Sequence, residues 1–104
     1  MQLTSKQKKY LKGQAHHLNP IVQIGKNGLN NEIKTNIRQA LDARELIKIV
    51  LLQNTDEAID EVAEILEVQL GLTVIQKIGK IIVAYKKSDK KENRKITNEL
   101  YQIK

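Results

Sequence analysis

Gly25-Lys26-Asn27-Gly28 is the segment whose residue types and spacing point most directly to chemistry. Two glycines bracket a cation and an amide. The segment lies between a β-branched run, Ile21-Val22-Gln23-Ile24, and a helix start at Asn30. Glycine lets the backbone approach a ligand closely and adopt positive φ. The first amides of a helix lack internal partners and carry the positive end of its dipole. With the side chains of Lys26 and Asn27, these make a nest of N–H groups suited to a phosphate. A tight turn that needs glycine only for its geometry would carry the same spelling.

Lys8, Lys9 and Lys12, with Lys6, supply the second feature. Residues 1–20 hold these four bases and no acid. A face that serves only solubility usually mixes signs, so this one suits several phosphates, with binding that weakens steeply in salt. Other chemistry finds little support. His16 and His17 are consecutive, so on a helix they point about 100° apart and cannot face one metal ion. There is no Cys, which excludes disulfides and thiolate metal sites. Neither Gly-x-x-x-x-Gly-Lys-Ser/Thr nor Gly-x-Gly-x-x-Gly occurs, so mononucleotide binding is not expected. Ser5 and Ser88 lie in a basic cap and a tail, and no His accompanies the acids. No catalytic residue, metal or cofactor is therefore assigned, and the chain is read as a binder and not an enzyme. Tyr10, Tyr85 and Tyr101 are the only aromatic residues. A sheet that stacks bases on exposed aromatics is disfavoured.

The elements that must position these residues follow from periodicity. Thr4 or Ser5 caps a helix running to about His17, with Gln7, Tyr10, Leu11, Ala15 and Leu18 as its inner stripe. Asn19-Pro20 stops it. Ile21–Ile24 is a strand. Asn30 caps a second helix to about Ala43, whose Ile33, Ile37, Ala40 and Leu41 share one face. Glu45–Leu52 is a strand, and Asn54, Thr55 or Asp56 caps a third helix with Ile59, Val62, Ala63, Leu66 and Leu70 inward. Gly71 ends it. Leu72–Ile78 and Ile81–Lys86 are strands joined at Gly79-Lys80.

The order αβαβαββ predicts an α/β chain of α+β two-layer type with a mixed four-stranded sheet. The right-handed crossover rule makes the first three strands run parallel and places the second and third helices on one face. The first helix then docks at an edge or on the other face. Residues 1–87 form one domain. Residues 88–104 form a charged tail, read as solvated from Ser88 to Arg94, with a short helix at its end.

The formal net charge is +6, unevenly distributed. Asp56, Glu57, Asp60, Glu61, Glu64 and Glu67 gather in one stretch that holds no base, while the chain ends are basic. A polyanion is steered to the basic side and repelled from the other. The apolar runs fall far short of the ~20 residues of a membrane span. A soluble cytoplasmic protein is the expectation, and a cysteine-free chain fits a reducing compartment.

The run Leu3-Thr4-Ser5-Lys6-Gln7-Lys8-Lys9-Tyr10-Leu11-Lys12-Gly13, then Ala15-His16-His17-Leu18-Asn19-Pro20, then Ile24-Gly25-Lys26-Asn27-Gly28-Leu29 resembles the opening of the bacterial YhbY-like proteins, which are stand-alone CRM domains. Glu45–Ile49, Gln76–Lys80 and Val83–Lys86 are similar to the later blocks of that family, so the resemblance spans residues 3–86. It implies a fold like the C-terminal domain of translation initiation factor three. It also implies RNA binding, association with precursors of the large ribosomal subunit, and a role in ribosome assembly. Carried over, the RNA surface is Gly25, Lys26, Asn27, Gly28, Lys8, Lys9 and Lys12. Lys86 stands where the family often has arginine, and lysine lacks the bidentate phosphate geometry. The expected partner is RNA, ribosomal or in pre-ribosomal particles, and the expected state is a monomer. The competing reading is a protein-interaction module whose acidic third helix docks a basic partner such as a ribosomal protein. DNA binding fits less well, because both later helices turn a stripe to the core and leave no helix free for a major groove.

Overall fold

In the computed structural model, which describes residues 2–103, the first helix, α1, spans Ser5–Ala15. Thr4 and Gln7 begin it reciprocally. The Thr4 hydroxyl accepts the Gln7 N–H at 3.1 Å, and the Gln7 side-chain oxygen accepts the Thr4 N–H at 2.9 Å. This capping box satisfies two amides that a helix start leaves without partners. Strand β1 is Val22–Ile24, and helix α2 is Asn31–Arg44, capped by Asn30 as its sequence predicts. Strand β2 is Leu46–Leu51 and helix α3 is Ile59–Leu70. Strands β3, Thr73–Ile78, and β4, Ile81–Tyr85, meet at Gly79-Lys80. A short 3-10 turn at Lys91–Asn93 leads to helix α4, Lys95–Leu100.

The cap expected for α3 at Asn54, Thr55 or Asp56 is not used. The helix starts later, behind Ala58, with no side-chain cap. Thr55 serves the loop instead, its hydroxyl accepting the Glu57 N–H at 3.3 Å. Gly71 ends α3 at φ +70, in the left-handed region that favours glycine.

The sheet order is β1-β2-β4-β3. β1 pairs parallel with β2, and β4 lies antiparallel between β2 and β3. The first three strands thus point the same way, as the crossover rule requires, yet β2 and β3 never touch. Both crossovers move in one direction across the sheet, and α2 and α3 cover one face. Ile37 and Leu41 of α2 and Val62, Leu66 and Leu70 of α3 pack there on Val22, Ile24, Ile47, Ile49, Leu51 and Ile82. The other face carries a second cluster, in which Leu11 and Ala15 of α1 and Leu100 of α4 meet Leu46, Ile75, Val83 and Tyr85. α1 therefore takes the opposite face, one of its two expected positions. With α4 beside it, it adds a third layer to the two-layer arrangement expected from the sequence.

The structure corrects the reading of residues 88–94 as a solvated segment. Ser88 and Thr97 are buried polar residues, and Leu100 is fully enclosed. The cause is a carboxylate that the sequence does not advertise. Glu45 is 0% exposed and sits at φ +65, a conformation that costs a non-glycine residue about 1–2 kcal/mol. Its carboxylate accepts the Ser88 N–H at 2.8 Å, the Thr97 N–H at 3.0 Å and the Thr97 hydroxyl. The Thr97 hydroxyl also meets the Tyr85 hydroxyl at 2.6 Å. Burial pushes the Tyr85 phenol above its ordinary value. Nearby, the Asp42 side chain accepts the Asp89 N–H at 2.9 Å and faces the Ser88 hydroxyl at 3.0 Å. These two donors, the Asp89 amide first, hold its carboxyl below the usual carboxylate range. Polar anchors, and not apolar periodicity, fasten this stretch. Gln7 completes the clasp by donating to the Leu100 carbonyl at 3.0 Å.

Candidate nucleic-acid interface

The loop 25–28 forms where β1 ends. The Leu52 N–H bonds the Ile24 carbonyl at 2.8 Å, and the Leu51 N–H bonds the Lys80 carbonyl at 2.8 Å. The loop after β1, the loop after β2 and the β3–β4 turn are therefore stitched together at one end of the sheet. Lys26 and Asn27 stand exposed at the tip, and Gly25 and Gly28 are half-buried beneath them.

The two glycines have different reasons to be there. Gly28 adopts φ +67, and its N–H closes a turn onto the Gly25 carbonyl at 3.0 Å. A Cβ at Gly28 would stand 2.5 Å from a Glu57 carboxylate oxygen. Gly25 has no positive φ, and a Cβ there would meet Asn54 Oδ1 at 3.4 Å, an ordinary contact. Gly28 is thus demanded by geometry, whereas Gly25 leaves the backbone open toward Asn54.

Three of the amides that could line a phosphate cradle are already engaged. The Gly28 N–H closes the turn, the Leu29 N–H points to Glu57 Oε1 at 3.4 Å, and the Ile33 N–H is capped by Asn30 Oδ1 at 2.9 Å. The sequence groups Glu57 with the acids of the third helix. It lies instead in the loop before α3 and turns its carboxylate to Gly28 and Leu29. No sequence pattern marks it, because the contact joins positions 28 residues apart. The other acids also separate: Asp60 pairs with Lys77 at 2.7 Å, and Glu67 accepts the Val74 N–H at 3.0 Å. Glu61 and Glu64 stay exposed on α3.

On α1, Gln7, Leu11 and Ala15 are buried and Lys8, Lys9 and Lys12 are exposed. At about 100° per residue, Tyr10 and Gln14 lie on one flank of this buried stripe and Lys8 and Lys12 on the other. Tyr10 and Gln14 line a groove with Lys95, Ile96 and Glu99 of the last helix, so Lys8 and Lys12 occupy the flank away from α4. Lys9 points outward from the sheet. The structure thus pairs Lys8 with Lys12, holds Gly25, Lys26, Asn27 and Gly28 in one loop, and shows no hydrogen bond or ion pair between the two groups. Among the described residues the ion pairs are Lys77–Asp60 and Lys90–Asp42, so none of the four candidate lysines is neutralised by a carboxylate.

Among the described residues, no group of three or more His, Asp or Glu is placed to hold a metal ion, and no helix is long and apolar enough to cross a membrane.

Comparison with known proteins agrees with this architecture. The sequence model of the family described as the CRS1 / YhbY (CRM) domain matches residues 3–86. The chain is 49% identical over 94 residues to the Bacillus subtilis protein named "Probable RNA-binding protein YqeI", covering 90% of this chain and 96% of that one. It is 38% identical over 87 residues to a Haemophilus influenzae protein named "RNA-binding protein", covering 84% and 88% of the two chains. The solution structure of the hypothetical protein SAV1595 from Staphylococcus aureus superposes with a TM-score of 0.71 at 42% identity, over 86% of this chain and 94% of that one.

Proposed function

Because the chain belongs to the CRS1 / YhbY (CRM) domain family, we propose that it is an RNA-binding protein that contacts ribosomal RNA of the large-subunit precursor and assists ribosome assembly. The contact runs through Gly25, Lys26, Asn27 and Gly28 and through Lys8, Lys9 and Lys12. The protein acts in the cytoplasm as a monomer, by binding and not by catalysis, and uses no cofactor.

The observation that carries this reading is the separation of charge by the sheet. The exposed lysines of α1 lie on one face, free of carboxylate partners, and Glu61 and Glu64 lie with α3 on the other. RNA phosphates are attracted to the first and repelled by the second. The names of the relatives in Bacillus subtilis and Haemophilus influenzae support RNA as the ligand class. A second reading, docking of a basic protein through α3, draws on Val68, which is 77% exposed on the helix that bears Glu61 and Glu64.

Ultraviolet crosslinking of the tagged protein to RNA in living cells, followed by sequencing, tests both. Peaks on large-subunit ribosomal RNA or its precursor are expected. Peaks on other RNA would remove the ribosomal part and keep RNA binding. No enrichment over a mock pull-down, with the protein soluble and expressed, would move the function to the α3 surface.

A further inference from the structure

The α1 side of the sheet is covered only in part. Register places Gln23 beside Val50, Val50 beside Ile81, and Ile81 beside Ile78, one row across all four strands. Their chain neighbours Ile24, Ile49, Leu51 and Ile82 belong to the cluster under α2 and α3. Because side chains alternate along a strand, the row itself faces the α1 side. There it joins no cluster: Val50 and Ile81 pack with neither, Gln23 is exposed, and Ile78 is 49% exposed. α1 leaves this row open.

The row is about 14 Å wide, three strand spacings of about 4.8 Å. Its surroundings are cationic. Lys48 precedes Val50 on the same face of β2, half-buried, and Lys80 sits in the turn between Ile78 and Ile81. Lys26 lies in the loop at the same end of the sheet. Lys8 and Lys12 border the side away from α4. None of the residues that the sheet presents here is acidic, and Lys77, on the opposite face, is the one paired with Asp60. An apolar strip with an amide at one end and cations around it matches a strand of nucleotides whose bases lie inward and phosphates outward. Duplex RNA buries its bases and could offer this strip only backbone.

We propose that the open row Gln23-Val50-Ile81-Ile78 seats unpaired nucleobases of a single-stranded RNA segment whose backbone continues over Lys26, Lys80 and the α1 lysines. This rests on the RNA-binding reading and specifies the form of RNA it takes. The platform is aliphatic, so affinity comes from buried area and from Gln23 hydrogen bonding, without aromatic stacking.

The test uses the full chain, a short single-stranded RNA carrying 4-thiouridine, and an RNA hairpin of equal charge. Ile78→Ser with Gln23→Ala alters exposed positions only. Affinity of this variant for the single strand is expected to fall roughly five- to tenfold, in the range set by removing the seat of one base. The slope of log affinity against log salt is expected to stay unchanged. Lys8→Ala with Lys12→Ala is expected to reduce that slope by about 0.7 for each phosphate that is no longer neutralised. Thiouridine crosslinks are expected on peptides containing Gln23, Val50 or Ile78. Parent-like affinity of the Ile78/Gln23 variant, with crosslinks confined to α1 and residues 25–28, would overturn the proposal and leave RNA binding standing. A parent chain that binds neither RNA would sink RNA binding itself, and the proposal with it. A concentration-dependent dimer that Ile78→Ser dissociates would reassign the row to an interface between copies.

Discussion

Replacing Glu45 with alanine removes the acceptor that fastens the C-terminal stretch, from Ser88 onward, to the domain. Two buried amides, Ser88 at 2.8 Å and Thr97 at 3.0 Å, are left without their partner where Glu45 is 0% exposed and water has no entry. Leaving a buried donor unsatisfied costs about 1–3 kcal/mol. The Thr97 hydroxyl keeps Tyr85 at 2.6 Å and adds little. The gross destabilisation is therefore roughly 2–6 kcal/mol, reduced because a buried carboxylate is itself costly to desolvate. The left-handed backbone strain at position 45 remains in either case. A net destabilisation of about 3 kcal/mol lowers Tm by roughly 12–24 °C, at about 4–8 °C per kcal/mol for a domain of this size. Glu45→Gln keeps one acceptor oxygen and is expected to fall between parent and Glu45→Ala. Thermal melts followed by circular dichroism, with amide exchange at Ser88 and Thr97, give both the magnitude and the place. A Glu45→Ala protein that melts within about 3 °C of the parent, with both amides still protected, would refute the clasp.

Glu57→Gln keeps an oxygen for the Leu29 N–H but removes a negative charge beside the loop. At about 6–8 Å in a water-like dielectric, that charge opposes a phosphate by roughly 0.6 kcal/mol, so RNA affinity is expected to rise about threefold at low salt, and an unchanged affinity would place phosphates elsewhere. Gly28→Ala forces a side chain into φ +67 and against Glu57, and should destabilise by about 1–2 kcal/mol. Gly25→Ala should be close to neutral in denaturant titration, so the two together separate folding from binding. Asp42 has its carboxyl pKa lowered in the folded state, so its contribution is present above the ordinary value of 3.8 and is lost as pH falls through the lower folded value. Amide exchange at Asp89 is expected to lose protection in that acidic window first, and Asp42→Asn should flatten the effect.

The stripes of α2 and α3 are legible in the sequence because one face of each is apolar at helical spacing, and Ile37, Leu41, Val62, Leu66 and Leu70 are buried where periodicity puts them. The loop 25–28 is legible as a turn, and its lysine as exposed. Two features escape for the same reason. Glu57 on Leu29 and Glu45 on Thr97 are polar contacts between distant positions, 28 and 52 residues apart, and hydrophobic patterning carries no signal for them. Residues 88–94 look solvated because they hold no apolar side chain, yet Ser88 is buried by bonds to Asp42 and Glu45. The open row on the sheet is equally invisible. Val50 and Ile81 sit in strongly apolar strands, and only the path of α1 decides which of those side chains are left uncovered.

The order β1-β2-β4-β3 also has a consequence in time. The strand that joins the two halves of the sheet, β4, is the last to be synthesised, and the acceptor at Glu45 waits for donors at Ser88 and Thr97. On a translating ribosome the amino-terminal half therefore emerges with Leu11, Ala15, Leu46 and Ile49 still lacking their partners Val83, Ile82 and Leu100. Such nonlocal closure slows folding. The sheet and its clasp are expected to close as one late event, after nearly the whole chain has left the exit tunnel, and not strand by strand as it emerges.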